Sequence, residues 1–132
     1  MRVFVDTSAL YALLDRDDDN HAAARKGWTD ILESGTPAVT SSYVLVETVA
    51  LLQSRLGLEA VRAFEDAVVP ILHVEFVTGD LHRLGMAALL VASRRRLSLV
   101  DCVSFEIMRR HGIGAAFTFD GHFKEQGFRI AP

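Results

Sequence analysis

The sequence predicts an α/β fold built on a central, mainly parallel sheet covered by helices. Two observations carry that expectation. Short, largely apolar runs alternate with longer stretches of helical spacing, as buried parallel strands and their crossover helices do. Two of those runs, Val3-Phe4-Val5 and Ala115 to Phe119, stop at an aspartate, Asp6 and Asp120. In a parallel sheet that is the strand end where ligands collect.

Arg2 to Val5 is the first strand, and Thr7 to Leu14 a short helix with Thr7 or Ser8 as its N-cap. Asp15 to Asn20 is an acidic turn, and Asn20 caps a helix to about Leu32, stopped by Ser34-Gly35-Thr36-Pro37. Ala38-Val39-Thr40 is the second strand. Ser41 or Ser42 caps a long helix in which Val44, Leu45, Val49, Leu52 and Leu56 follow helical spacing up to Gly57. Leu58 to Val68 is a helix closed by Pro70, and Ile71 to Val77 a third strand. Thr78 caps a helix from Gly79 to about Arg95, and Ser98 caps another from Leu99 to Arg110, ended by His111-Gly112. Ala115 to Phe119 is the fourth strand, Gly121 to Lys124 a helical turn, and Phe128 to Ile130 a last edge strand.

The 132 residues fit one domain, 1–132, with no linker or repeat. Half the residues are hydrophobic, which excludes disorder. Cys102 is the single cysteine, so an internal disulfide and a cysteine zinc cluster are excluded and a reducing cytoplasm is expected. The N-terminus lacks a signal-peptide pattern, and no apolar run approaches the ~20 residues of a membrane span. A net charge of −3 excludes a generally basic nucleic-acid coat but leaves room for local cations.

Four carboxylates stand out: Asp6, Glu47, Asp101 and Asp120. Asp6 and Asp120 end apolar strands, where an unpaired charge is costly unless it meets a lip or a cation. Glu47 is the only charge between Thr40 and Arg55. Asp101 lies in the first turn of its helix, with Ser104 one turn further on. Singly, each has a plain structural role: Asp6 as a helix cap, Asp101 as a helix-start residue, Asp120 as a turn residue, Glu47 as the partner of a buried arginine. Jointly they form a set of oxygen ligands suited to Mg²⁺ or Mn²⁺.

In order and spacing, four segments resemble the PIN-domain family, in particular the VapC-type toxins of toxin–antitoxin pairs. They are Val5-Asp6-Thr7-Ser8-Ala9-Leu10, Ser41 to Thr48, Leu97 to Phe105 and Thr118-Phe119-Asp120-Gly121-His122-Phe123. The resemblance covers essentially the whole chain. The resemblance implies a three-layer α/β/α sandwich around a sheet of four to five strands. It further implies a metal-dependent ribonuclease holding Mg²⁺ (or Mn²⁺) on Asp6, Glu47, Asp101 and Asp120, with Thr7, Ser104 and Thr118 as supporting hydroxyls. RNA as substrate, a cognate antitoxin and a homodimer follow from the same resemblance. Val100 and Gly121 depart from the usual pattern without removing a carboxylate.

Arg94-Arg95-Arg96 precedes the Asp101 segment and is a candidate RNA contact, although such a run is commonly a solvated face. Asp15 to Asp19 has neither the glycine nor the glutamate of a calcium loop and reads as a solvated rim. The five histidines have no metal-ligand spacing, and His122, close to Asp120, is assigned a structural role. Trp28 with Leu32 is core or a partner surface. Two other functions compete. One is a phosphatase with Asp6 as nucleophile, a class that usually needs a second aspartate where Ser8 stands. The other is a non-catalytic module of the same fold that binds RNA or protein.

Overall fold

In the computed structural model, which describes residues 1–131, each apolar run becomes a strand of three or four residues. The strands are β1 (Val3–Val5), β2 (Ala38–Ser41), β3 (His73–Glu75), β4 (Ala115–Phe117) and β5 (Arg129–Ala131). They pair in the order β3-β2-β1-β4-β5, and every pairing is parallel. β1, β2 and β4 are buried along their whole length, as strands covered on both faces must be.

The helices are α1 (Thr7–Leu14), α2 (His21–Ser34), α3 (Ser42–Leu56), α4 (Leu58–Ala63), α5 (Gly79–Ala92), α6 (Leu99–Arg110) and α7 (His122–Glu125). α1 packs on α2 and α3, and α5 packs on α6, giving an α/β/α sandwich. α5 and α6 approach closely at Gly85, where a Cβ would come within 2.5 Å of the Val103 side chain. Trp28 is core, settling one of its two expected roles, whereas Leu32 is exposed.

From β1 the chain winds outward to β2 and β3, then returns to lay β4 and β5 on the other side of β1. The winding direction therefore reverses between β1 and β4. A crevice opens at such a point, above the carboxyl ends of the two strands. Asp6 and Asp120 lie there.

Several boundaries differ from expectation. The N-cap of α1 is Asp6, not Thr7 or Ser8: its extended backbone lets the carboxylate accept from the Ser8 N–H. Asn20 occupies the N-cap position of α2 without a side-chain cap bond. α2 runs on to Ser34, where Gly35 (φ 68°) takes the left-handed conformation that ends it. The expected helix over Leu58 to Val68 is α-helical only to Ala63; Phe64–Val68 widens into a π turn and Val69–Ile71 is a 3₁₀ turn. Pro70 has no N–H to continue the α pattern. α5 stops at Ala92, three residues short of Arg95, with Ser93 left-handed. The third strand shrinks to His73–Glu75, and the fourth ends at Phe117. Among the described residues, no helix is long and apolar enough to cross a membrane.

Candidate metal-dependent active site

The start of α1 and the end of β4 are tied together by two hydroxyls and one carboxylate. Ser8 Oγ and Thr118 Oγ1 each lie 2.9 Å from Asp6 Oδ2 and donate to it. The same hydroxyls accept backbone N–H bonds at 2.9 Å, Ser8 from Phe119 and Thr118 from Asp120. Both hydroxyl protons are thereby aimed at Asp6, which is only 3% exposed. Among the described residues, Asp6 Oδ1 accepts no hydrogen bond and remains available to the cleft.

Asp101 is placed by the start of α6. Ser98 Oγ accepts from the Asp101 N–H at 3.0 Å, and Asp101 Oδ2 accepts from the Ser98 N–H at 3.2 Å. This capping box locks the carboxylate at the helix N-terminus, where the helix dipole favours negative charge. Asp120 Oδ1 accepts the His122 N–H at 2.9 Å, the turn that launches α7. The His122 ring folds back, with Nδ1 3.2 Å from Asp120 Oδ1 and 3.5 Å from Asp101 Oδ2. That Nδ1 is buried and, among the described residues, has no hydrogen-bond partner of good geometry.

Burial is the main reason these acids hold protons more tightly than usual. It pushes Asp6 up to about 6, against the lowering effect of the Ser8 and Thr118 hydroxyls and with help from Asp101 and Asp120. Asp101 is raised by burial and then by Asp120, and Glu47 by burial, Asp6 and Asp120. Among the described residues, no Lys or Arg lies within 4.0 Å of Asp6, Glu47, Asp101 or Asp120. Mutually repelling carboxylates without a protein cation make a set that a divalent ion fits. Ligand atoms of Asp101, Asp120 and His122 all lie within 4.8 Å of one another, and the unpartnered Nδ1 points to the same place.

The cleft thus collects Asp6, Glu47, Asp101 and Asp120 on one surface. Thr7 also lines it and links to α3, its Oγ1 accepting from Thr48 Oγ1 at 3.3 Å. Thr118 works from beneath, through Asp6. Ser104 is fully buried with its hydroxyl on the Val100 carbonyl at 2.8 Å, so it braces α6. Of the arginine run only Arg96 lines the cleft; Arg94 is engaged by Glu125 at 2.8 Å, and Arg95 is exposed. Asp18 and Asn20 do form a rim, as expected of the acidic turn.

Sequence reasoning missed Ser8 and underrated His122. The sequence offers a local hint only for Asp6, an N-cap type whose carboxylate reaches the second residue on, and that residue is Ser8. His122 carries none until Asp101, distant in sequence, is brought beside it. Ser8 also stands where an aspartyl phosphatase carries its second acid, and it spends its proton on the would-be nucleophile.

The PIN domain model matches residues 3–129. The 23S rRNA-specific endonuclease VapC20 of Mycobacterium tuberculosis is 40% identical over 128 residues, 96% of this chain and 95% of that protein. The crystal structure of M. tuberculosis VapC20, described as a sarcin-ricin loop cleaving toxin, superposes with a TM-score of 0.84 at 36% identity, over 98% of this chain and 99% of the other. FitAcB from Neisseria gonorrhoeae shares the fold at a TM-score of 0.67 and 13% identity, over 98% of this chain and 96% of that one.

Proposed function

The chain belongs to the PIN-domain family, and from that premise we propose that it is the metal-dependent endoribonuclease of a toxin–antitoxin pair, cutting ribosomal RNA at a site like that of its mycobacterial relatives. The observation that supports this most is the clustering of Asp6, Asp101, Asp120 and His122 at the mouth of β1 and β4, with no protein cation to balance them.

We assign Asp101, Asp120 and His122 as direct ligands of a divalent cation, with the free Oδ1 of Asp6 and the half-buried Glu47 completing its surroundings. When bound, the ion neutralises the carboxylates and polarises the phosphodiester that is hydrolysed. Carboxylate oxygens suit Mg²⁺ or Mn²⁺, and one imidazole nitrogen shifts preference toward the transition ion. The chain's own contribution is placement. Ser8 and Thr118 keep Asp6 ionised and oriented, the Ser98 box fixes Asp101, and the turn at Asp120 sets the His122 ring. Such fixed surroundings cost no reorganisation as charge develops on the phosphate.

The same family membership supports a cognate antitoxin, a homodimer and a cytoplasmic location. Val46, Phe76, Leu90 and Val91 are exposed apolar residues that such partners would cover.

The test is cleavage of a synthetic sarcin-ricin loop hairpin with Mg²⁺ or Mn²⁺, by the wild-type chain and by Asp101→Asn. Metal-dependent cutting by the wild type, reduced more than about 100-fold in the variant, is expected, since even outer-shell partners of a metal are worth 10–100-fold. Wild-type cleavage that persists in excess chelator overturns the assignment.

A further inference from the structure

The cleft presents an electrostatic problem to its own substrate. Five acids line it (Asp6, Asp18, Glu47, Asp101 and Asp120), against two cations, Arg55 and Arg96. A single divalent ion balances only part of that charge, so an RNA strand needs cationic footholds beside the reacting phosphate. Arg96 belongs to the run that sequence reasoning singles out. Arg55 does not, and it is the better built of the two.

α1 and α3 run side by side and form a ladder with two rungs. At the upper rung Thr7 is hydrogen-bonded to Val44 and Thr48 of α3 and lines the cleft with Glu47. At the lower rung, one turn along α1 and two turns along α3, the Arg55 guanidinium lies over the Tyr11 ring, 5.1 Å from its centroid. Glu47, Leu51 and Arg55 are spaced by four residues and all line the cleft, so they form one row on α3. Arg55 thus starts about 12 Å along the helix axis from Glu47.

The platform under Arg55 is itself anchored. Tyr11 is 8% exposed, and its hydroxyl donates to Asp15 Oδ2 at 2.7 Å. The guanidinium, which also neighbours the Tyr11 hydroxyl, has no acid partner. Among the described residues no carboxylate lies within 4.0 Å of Arg55, whereas Lys26, Arg62, Arg83, Arg94 and Arg109 each have one. An arginine stacked on a fixed aromatic, turned into an acidic cleft and paired with no acid keeps its planar fork for an incoming anion.

We propose that Arg55, seated on the Tyr11 ring beside the cleft, is a positioning residue that grips a backbone phosphate flanking the one being cut. It acts about two helical turns from Glu47 and so holds the strand while Arg96 meets it near Asp101. This rests on the ribonuclease reading above.

The experiment measures kcat and KM for sarcin-ricin hairpin cleavage in Mn²⁺ at several KCl concentrations, for wild type, Arg55→Ala, Arg55→Lys and Tyr11→Phe. For Arg55→Ala, KM rises about tenfold, kcat stays within about threefold, and the slope of log KM against log salt falls by roughly 0.7–0.9, the loss of one phosphate contact. Arg55→Lys restores the slope but only part of the KM, because an ammonium lacks the planar fork and stack. Tyr11→Phe keeps the ring, loses the Asp15 tether and shows a smaller rise in KM with the slope retained. A residue that only braced α3 against α1 would lower melting temperature and leave the salt slope alone. Arg55→Ala with wild-type KM and slope, or with a loss confined to kcat, overturns the proposal while leaving the nuclease reading intact. A wild-type chain that cuts no RNA overturns both.

Discussion

Two sets of carboxylates divide the molecule. On the outer surface, exposed acids sit in water, and four of them face a cation, Asp30 with Lys26 at 3.0 Å, Glu125 with Arg94 at 2.8 Å, Glu59 with Arg62 and Asp80 with Arg83, while Glu33, Glu65 and Asp66 are simply solvated. At the mouth of β1 and β4 the situation is reversed. Asp6 and Asp101 are 3% and 7% exposed, and no Lys or Arg is in range. Elementary electrostatics predicts the opposite, since it is buried charge that most needs a partner. The contrast shows that the cleft acids are tolerated, not stabilised, by the protein alone. Asp6, Asp101 and Asp120 are held by capping or turn bonds that the fold requires anyway, and the uncompensated charge is left for a cation and a substrate.

The sharpest way to break this contrast is Asp6→Asn. Asparagine is as good an N-cap as aspartate and can still accept from Ser8, so α1 survives. Cleavage falls by more than about 100-fold. Stability of the metal-free protein at pH 8 moves the other way. With the folded-state value at about 6 against 3.8 unfolded, the ionised Asp6 costs up to about 3 kcal/mol there, and the variant recovers much of it. A metal-free melting temperature that rises by several degrees while activity collapses is the expected outcome. A drop in both would mean that Asp6 is a structural cap and nothing more.

A milder probe uses pH. Asp6 binds its proton more tightly folded than unfolded, so between about 4 and 6 the folded state carries more protons. Stability is therefore greatest below that window and is lost as pH rises through it. Asp101 and Glu47 are shifted in the same direction and deepen the trend. In chelator, the melting temperature should fall from pH 5 to pH 7.5. With Mn²⁺ present the fall should shrink or reverse, because deprotonated ligands bind the ion more strongly. Melting curves that are flat in pH without metal would show that the cluster carries no repulsion to relieve.

The same contrast explains which parts were legible in the sequence. β1, β2 and β4 are buried on both sides and read as unbroken apolar runs, so they and the aspartates that end β1 and β4 were visible. β3 and β5 are edge strands with exposed residues, His73, Glu75, Arg129 and Ile130 among them, and their limits blurred. Asp6 and Asp101 each have two readings, cap and ligand, and the two are compatible: in each residue one carboxylate oxygen makes the capping bond while the residue also lines the cleft. Ser98-x-x-Asp101 is a sequence-level capping box. His122 and Arg55 gain their meaning only from partners that folding supplies, Asp101 for one and Tyr11 for the other. The π turn at Phe64–Val68 is not encoded by residue spacing, which reads the same for an α-helix.

The smallest effect belongs to the outer set. Lys26 and Asp30 are spaced by four residues on α2, with side chains 78% and 45% exposed. Water and salt screen such a pair, and holding two long side chains in one geometry costs entropy. A double-mutant cycle with Lys26→Ala and Asp30→Ala should give a coupling of about 0.3–0.5 kcal/mol that fades in high salt. RNA cleavage should be unchanged, since neither residue lines the cleft. The value of the measurement is its sign beside that of Asp6→Asn. Removing an exposed, paired acid costs a little stability and no activity, whereas removing the buried, unpaired one raises stability and abolishes activity. A coupling well above 1 kcal/mol, or a loss of cleavage, would erase the division between the two sets and with it the reason for reading the unpaired acids as a metal site.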